Sequence, residues 1–329
     1  MILFIWSGFI LLILIFLALD LGVFHRKSHA LSIREALGWT AVWITLALLF
    51  NLLIFVMYSQ NWLGISQRGD LIVSGQQAAL EFFTGYLIEK SLSLDNIFII
   101  ALIFSYFTVQ LRFQHRVLYW GILGAIIMRG IMIGLGVALV KSFSWMNYVF
   151  GIFLIFTAVK MLVSRHDNLE PDKNPVVKLA RRIFPVTDRF HEEKFWIKGP
   201  GRSVLLTPLF IVLLLIESSD VMFAIDSIPA IFAVTQDPFI IFTSNIFAIL
   251  GLRALYFALA AVIEKFRYLK MSLVFLLAYM GVKMIIIKHF HIPVWVSLVI
   301  ILGILSVGII ASVWYTHQDT ARLQPPPDL

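Results

Sequence analysis

The chain has no cysteine. Disulfides, thiolate metal ligation and thiol redox chemistry are therefore excluded. Charge is scarce as well: Asp, Glu, Lys and Arg make up 14% of 329 residues, against about 25% in a typical soluble domain. The eight histidines all fall in predicted loops or at span ends, which argues against a zinc or copper site at membrane depth. No P-loop, His-Glu-x-x-His or Gly-x-Ser-x-Gly pattern occurs, so we expect neither an enzyme nor a prosthetic group. No basic region precedes the first apolar run, so residues 1–19 read as a first helix and not as a cleaved signal peptide.

Apolar sequence is abundant instead. Hydrophobic residues are 60% of the chain and form runs of about 20, the length that crosses roughly 30 Å of hydrocarbon. The short alternating segments of a β-barrel are missing. The expectation is an all-α polytopic membrane protein with about nine transmembrane helices, near 2–24, 36–58, 78–107, 117–139, 145–163, 203–234, 239–263, 269–288 and 293–315. The formal charge of +7 does not point to nucleic acid, because most basic residues lie in short loops, where they set topology. With the N-terminus outside, 18 Lys and Arg fall on the inner side, including Arg26 and Lys27 of the cluster His25-Arg26-Lys27 and nine in the loop 164–202. Three (Arg68, Lys141 and Lys288) fall outside, and five lie within spans. That asymmetry predicts a cytoplasmic C-terminus. Within the inner loop, residues 176–184 suit a short basic amphipathic helix, either on the anionic membrane surface or as a solvated connector. Gly199-Pro200-Gly201 marks a turn, and Pro325-Pro326-Pro327 a disordered tail.

A charged pattern occurs twice. Asp95, Arg129 and Lys160 are 34 and 31 positions apart; Asp220, Arg253 and Lys283 are 33 and 30 apart. Charges at membrane depth are costly, and their recurrence suggests a duplicated three-helix unit. An odd number of helices per unit makes the second inverted relative to the first, a common plan in secondary transporters with midplane sites. The organisation expected is two N-terminal helices (1–60), a first repeat (78–163), a cytoplasmic basic loop (164–202), a second, inverted repeat (203–288), and a final helix with its tail (293–329).

The candidate site is acidic. Glu89, Asp95, Glu217, Asp220 and Asp226 lie at membrane depth, with Asn96 and several serines alongside. Unpaired, five such groups would cost on the order of 12–18 kcal/mol, so they must pair, protonate or line a wet cavity. Arg129 and Arg253 can neutralise two of them. Either Asp95–Arg129 and Asp220–Arg253 are structural ion pairs, or these acids join a surplus of hard oxygen ligands suited to Mg, Ca or Mn. Glu217 and Asp220, three apart, share a helix face. Asp226, nine beyond Glu217, joins them only if the helix unwinds near Ser218-Ser219 or Pro229. Lys160 and Lys283 are expected to snorkel from span ends, and Glu81 to be wet near the outer end of its span. Asn245 is a ligand or an interhelical hydrogen-bonding residue. Asp20 reaches the interface or contributes to the cavity.

Gly85-Tyr86-Leu87-Ile88-Glu89-Lys90-Ser91-Leu92-Ser93-Leu94-Asp95-Asn96 and Glu217-Ser218-Ser219-Asp220-Val221-Met222-Phe223-Ala224-Ile225-Asp226-Ser227-Ile228-Pro229, with the stretch from Asp237 to Arg253, carry a resemblance over nearly the whole chain. It resembles the TerC family, most closely its Alx-type members. The resemblance implies a bacterial inner-membrane protein, a link to tellurium resistance by name, and manganese export. It also implies that Glu89, Asp95, Glu217, Asp220 and Asp226 form or gate the ion path. The expected function is a secondary exporter of divalent cations, most plausibly Mn(II), with exchange for protons as a candidate coupling. The expected partners are the cation, the lipid bilayer and protons. The alternative is a membrane scaffold that supports metallation or assembly of other proteins. Nothing in the sequence specifies an oligomeric state.

Overall fold

Long apolar segments cannot leave backbone amides unsatisfied in lipid, and the chain meets that demand almost entirely with helices. The computed structural model describes residues 2–22, 33–68, 71–143, 145–163, 174–187, 189–191, 193–198, 204–259, 269–287, 290 and 292–322. The helices are α1 (Ile2–Gly22), α2 (Ile33–Ser59), α3 (Gly75–Tyr106), α4 (Leu111–Ser142), α5 (Met146–Val163), α6 (Pro175–Ile183), α7 (Pro208–Phe232), α8 (Pro238–Leu250), α9 (Leu252–Leu259), α10 (Leu269–Ile286) and α11 (Val294–Arg322). Two small antiparallel hairpins pair β1 (Gln67–Arg68) with β2 (Leu71–Ile72) and β3 (Trp196–Lys198) with β4 (Val204–Leu206). His25-Arg26-Lys27, residues 164–173, Gly199-Pro200-Gly201, the side chain of Asp20 and the triple proline lie outside the described residues.

Local chemistry sets several helix starts. Ser74 accepts from the Gln77 amide at the head of α3. Asn174 and Asp237 cap α6 and α8, each followed by proline at the first helical position, where its missing N–H costs nothing. Among the described residues, six helical stretches are long and apolar enough to cross a membrane: Arg34–Ser59, Leu111–Ser142, Met146–Val163, Pro208–Phe232, Pro238–Leu259 and Val294–Ser312. Two shorter apolar helices, Leu3–Leu19 and Met271–Ile286, accompany them. α3 is 32 residues long but carries Glu81, Glu89, Lys90 and Asp95. The molecule is a multi-pass, all-helical membrane protein. Its outer helices expose large apolar side chains such as Leu3, Leu52, Ile127, Leu135, Phe156 and Ile310, as a lipid-facing surface requires.

α3 and α8 form the centre. α3 packs against α2, α7 and α8; α4 packs against α7 and α8; α5 packs against α10, and α10 against α11. Three apolar clusters fill the interior. One gathers around Phe50, Phe82 and Phe247, the second around Leu154, Phe232 and Met280, the third around Phe104, Val117 and Tyr256.

The stretch 239–263, expected as one continuous helix, breaks at Gly251. A side chain there would have its Cβ 2.9 Å from Lys90 Nζ and 3.1 Å from Trp43 Cβ. The missing side chain admits Lys90, whose Nζ donates to the Ala248 carbonyl at 3.2 Å. A cation at the C-terminal end of α8 satisfies a carbonyl that the break releases.

Candidate cation site

Helical spacing places Glu89, Ser93 and Asn96 of α3 on one face, at positions i, i+4 and i+7. All three are buried, at 1%, 1% and 4% exposure. Asp95 lies six residues beyond Glu89, about 240° around the helix, and so faces elsewhere. α4 and α7 bring Arg129 and Asp220 to the α3 face, and α8 adds Asn245.

Arg129 is fully buried and organises the site. Its Nε and Nη2 donate to the two Asp220 carboxylate oxygens at 3.3 and 3.0 Å, the two-point geometry that suits a guanidinium. Its Nη1 donates to Glu89 Oε1, to Asn245 Oδ1 at 3.1 Å and to Ser227 Oγ at 3.4 Å. Asn96 Nδ2 donates to Asp220 Oδ1 at 3.3 Å. One guanidinium therefore ties α4 to α3, α7 and α8.

This overturns one of the two ion pairs weighed from the repeat, Asp95–Arg129. Arg129 binds Glu89 and Asp220, not Asp95, because α4 packs on α7 and because Asp95 points away from that contact. Arg253, in α9, is buried. It lines a small cavity beside Asn96, Ser219 and Asp220, closed on its other walls by apolar side chains including Ile122, Phe223 and Leu252. The cavity holds about 30 Å³, room for about two waters.

Three buried oxygens on the shared α3 face, Glu89 Oε2, Ser93 Oγ and Asn96 Oδ1, accept no hydrogen bond among the described residues. Buried polar atoms are rarely left so. Glu217 is half-buried, and its carboxylate rests over the backbone of Gly124: a Cβ at Gly124 would lie 2.0 Å from Oε1. Asp226 does not join this group. α7 stays helical from Pro208 to Phe232 despite Pro229, so nine residues carry Asp226 half a turn away from Glu217. It instead accepts from Thr157 Oγ1 of α5 at 3.1 Å. No three acidic or histidine side chains among the described residues converge as a metal cage; Arg129 sits where Glu89 and Asp220 would share an ion.

Other expectations change. Glu81, expected wet, is 2% exposed. The turn between α7 and α8 covers it, and Thr235 Oγ1 donates to its Oε2 at 2.5 Å. Lys283, expected to snorkel, is 3% exposed and donates to Ser297 Oγ of α11 at 2.7 Å. Lys160 is exposed. The expected loop helix is present as α6, with Val177 buried and Asn174 Nδ2 donating to Ser218 Oγ at 2.9 Å. Ser93 and Ser227 escaped singling out. The i, i+4, i+7 spacing was the signal for Ser93; Ser227 had none.

A profile described as the "Integral membrane protein TerC family" matches residues 74–320. The chain is 49% identical over 322 residues to "Uncharacterized membrane protein STKORF319" of Myxococcus xanthus, covering 98% of this chain and 96% of that one. It is 45% identical over 320 residues to the "Putative membrane-bound redox modulator Alx" of Salmonella typhi, covering 97% of each. With the protein of that name in Escherichia coli K12 it is 46% identical over 314 residues, 95% of each. No solved structure matches the chain.

Proposed function

The chain belongs to the TerC family of integral membrane proteins, and on that premise we propose that it is a secondary exporter of divalent cations, with Mn(II) as the cargo. The observation that carries this reading is the line of buried oxygens at Glu89, Ser93 and Asn96, beside Asp220, that have no hydrogen-bond partner among the described residues. Carboxylate, amide and hydroxyl oxygens are the donors of hard divalent ions. Such atoms are costly to bury without a partner, and a transiting cation supplies one. Glu217, half-buried next to the line, extends the path.

The packing pairs favour two inverted three-helix units within nine spans. Exchanging α3 with α7, α4 with α8–α9 and α5 with α10 turns the α3–α8 contact into the α4–α7 contact. The same exchange leaves the α5–α10 and α3–α7 contacts self-related. That pattern suits alternating access about a midplane site. The basic-residue asymmetry favours an inner-membrane protein with its N-terminus outside and its C-terminus in the cytoplasm. The relatives' name speaks of redox modulation. A chain without cysteine has no thiol for such a role, and moving a redox-active cation is the route its oxygen-lined path leaves open.

Manganese uptake into inverted membrane vesicles, with and without a proton gradient, tests the reading. Wild-type vesicles load Mn(II), and Asp95→Asn and Asp220→Asn lose most of the uptake. Ser93→Ala touches no ion pair and lowers it several-fold. Equal transport by all three variants removes the path from consideration. If uptake instead fails only when the 164–202 loop is replaced, the scaffold reading takes its place.

A further inference from the structure

We propose that Arg129 is a tethered counter-cation: it holds the place of the metal between Glu89 and Asp220, and must give up those carboxylates for the metal to bind. The inference rests on the cation-export reading above. Three observations carry it. First, Arg129 is fully buried, and its one guanidinium bridges two carboxylates from separate helices, α3 and α7. A divalent ion shared by Glu89 and Asp220 needs the same oxygens. Second, some oxygens beside the guanidinium are open. Glu89 Oε2, Ser93 Oγ and Asn96 Oδ1 accept nothing among the described residues, so the α3 face offers donors to an incoming cation while Arg129 holds Glu89 Oε1 and both Asp220 oxygens. Third, Arg129 has neutral partners to fall back on. Its Nη1 already reaches Asn245 Oδ1 at 3.1 Å and Ser227 Oγ at 3.4 Å. A guanidinium that leaves the carboxylates keeps acceptors on α8 and α7 and is not stranded in an apolar interior.

Like charges in a buried site repel strongly, so metal and guanidinium exclude each other from the two carboxylates. Arg129 then does two things. It keeps Glu89 and Asp220 compensated while no metal is bound, and it displaces the metal at the end of the cycle. A structural staple behaves in the opposite way. Removing a staple loosens the site and weakens metal binding; removing a competitor strengthens it.

The test is Mn(II) binding to the purified full-length protein in nanodiscs, read as loss of the free-ion electron paramagnetic resonance signal. Arg129→Ala is expected to bind Mn(II) about tenfold more tightly than wild type and to export it more slowly. Millimolar guanidinium chloride is expected to refill the vacated space and weaken Mn(II) binding in Arg129→Ala, where sodium chloride of equal ionic strength does not. Wild type is expected to be insensitive to both salts at that concentration. Arg129→Lys keeps a charge but not the two-point grip, and decides the matter if the alanine variant does not fold: it is expected to bind Mn(II) more tightly than wild type, by a smaller factor. Equal or weaker binding in the folded variants, or no effect of guanidinium on Arg129→Ala, overturns the inference while wild-type binding leaves the export reading intact. No Mn(II) binding by wild type or variants overturns both.

Discussion

A carboxylate at membrane depth needs a counter-charge, a hydrogen-bond donor or water. Glu89 and Asp220 divide one guanidinium between them. A divalent ion held about 4 Å from that guanidinium at an effective dielectric of 20 would feel a repulsion of about 8 kcal/mol, which opposes their sharing the same oxygens. Glu217 has the open backbone of Gly124 beneath it. Gly124→Ala therefore moves this carboxylate without altering its charge, because the added Cβ lies 2.0 Å from Oε1, the far end of a flexible side chain. We expect the melting temperature to hold within a few degrees and Mn(II) export to fall. Both are measured on the same preparation, and unchanged export would remove Glu217 from the path. At this scale the sequence offered candidate residues, of which the structure brings Glu89, Asn96 and Asp220 together with Arg129, but not how they pair. The matched spacing of the two Asp–Arg sets suggested pairing within each unit. Pairing is decided by which helices touch and how each is rotated, and α4 faces α7. Ser93 was legible from helical periodicity alone, since it completes the Glu89–Asn96 face.

At the scale of elements, the helix spans were the most legible feature, because apolar length and caps fix them locally. α3 and α4 run a few residues beyond the expected spans at one or both ends, while α6 falls within one residue of its expected position. The break between α8 and α9 was not legible. Glycine is tolerated inside membrane helices, and the approach of Lys90 from α3 and Trp43 from α2 gives Gly251 its role. The burial of Glu81 and Lys283 was hidden for the same reason: it comes from the α7–α8 turn and from α11, distant in sequence. α5 and α10 cross most closely where glycine meets glycine. A Cβ at Gly281 would lie 2.8 Å from the Gly151 carbonyl oxygen, a backbone atom that cannot swing aside. Gly281→Ala is expected to cost about 1–3 kcal/mol by overpacking. Gly303→Ala in α11, with nothing within 4 Å, is the control and is expected to be neutral. Thermal unfolding in detergent separates the two, and equal melting temperatures would argue against the tight α5–α10 crossing.

Across the whole molecule, the polar side chains form a seam where the three apolar clusters meet. Arg129 lies between Ala125 of one cluster and Ile133 of another; Asp220 follows Ile216 of the third. The family match begins at residue 74, so α1 and α2 stand outside it, and the seam is built wholly from elements within it. This arrangement encloses charge, which is expensive in lipid, within protein. The proposed export reading claims that the α3 face of Glu89, Ser93 and Asn96, with Asp220 opposite, receives the transported ion. Anomalous diffraction at the manganese edge, from crystals of the protein grown with Mn(II), tests that claim most directly. The account predicts one anomalous peak within coordination distance of Glu89, Asn96 and Asp220, with the Arg129 guanidinium withdrawn towards Asn245 and Ser227. A peak only at surface carboxylates, or Arg129 still gripping both acids in metal-loaded protein, would contradict it.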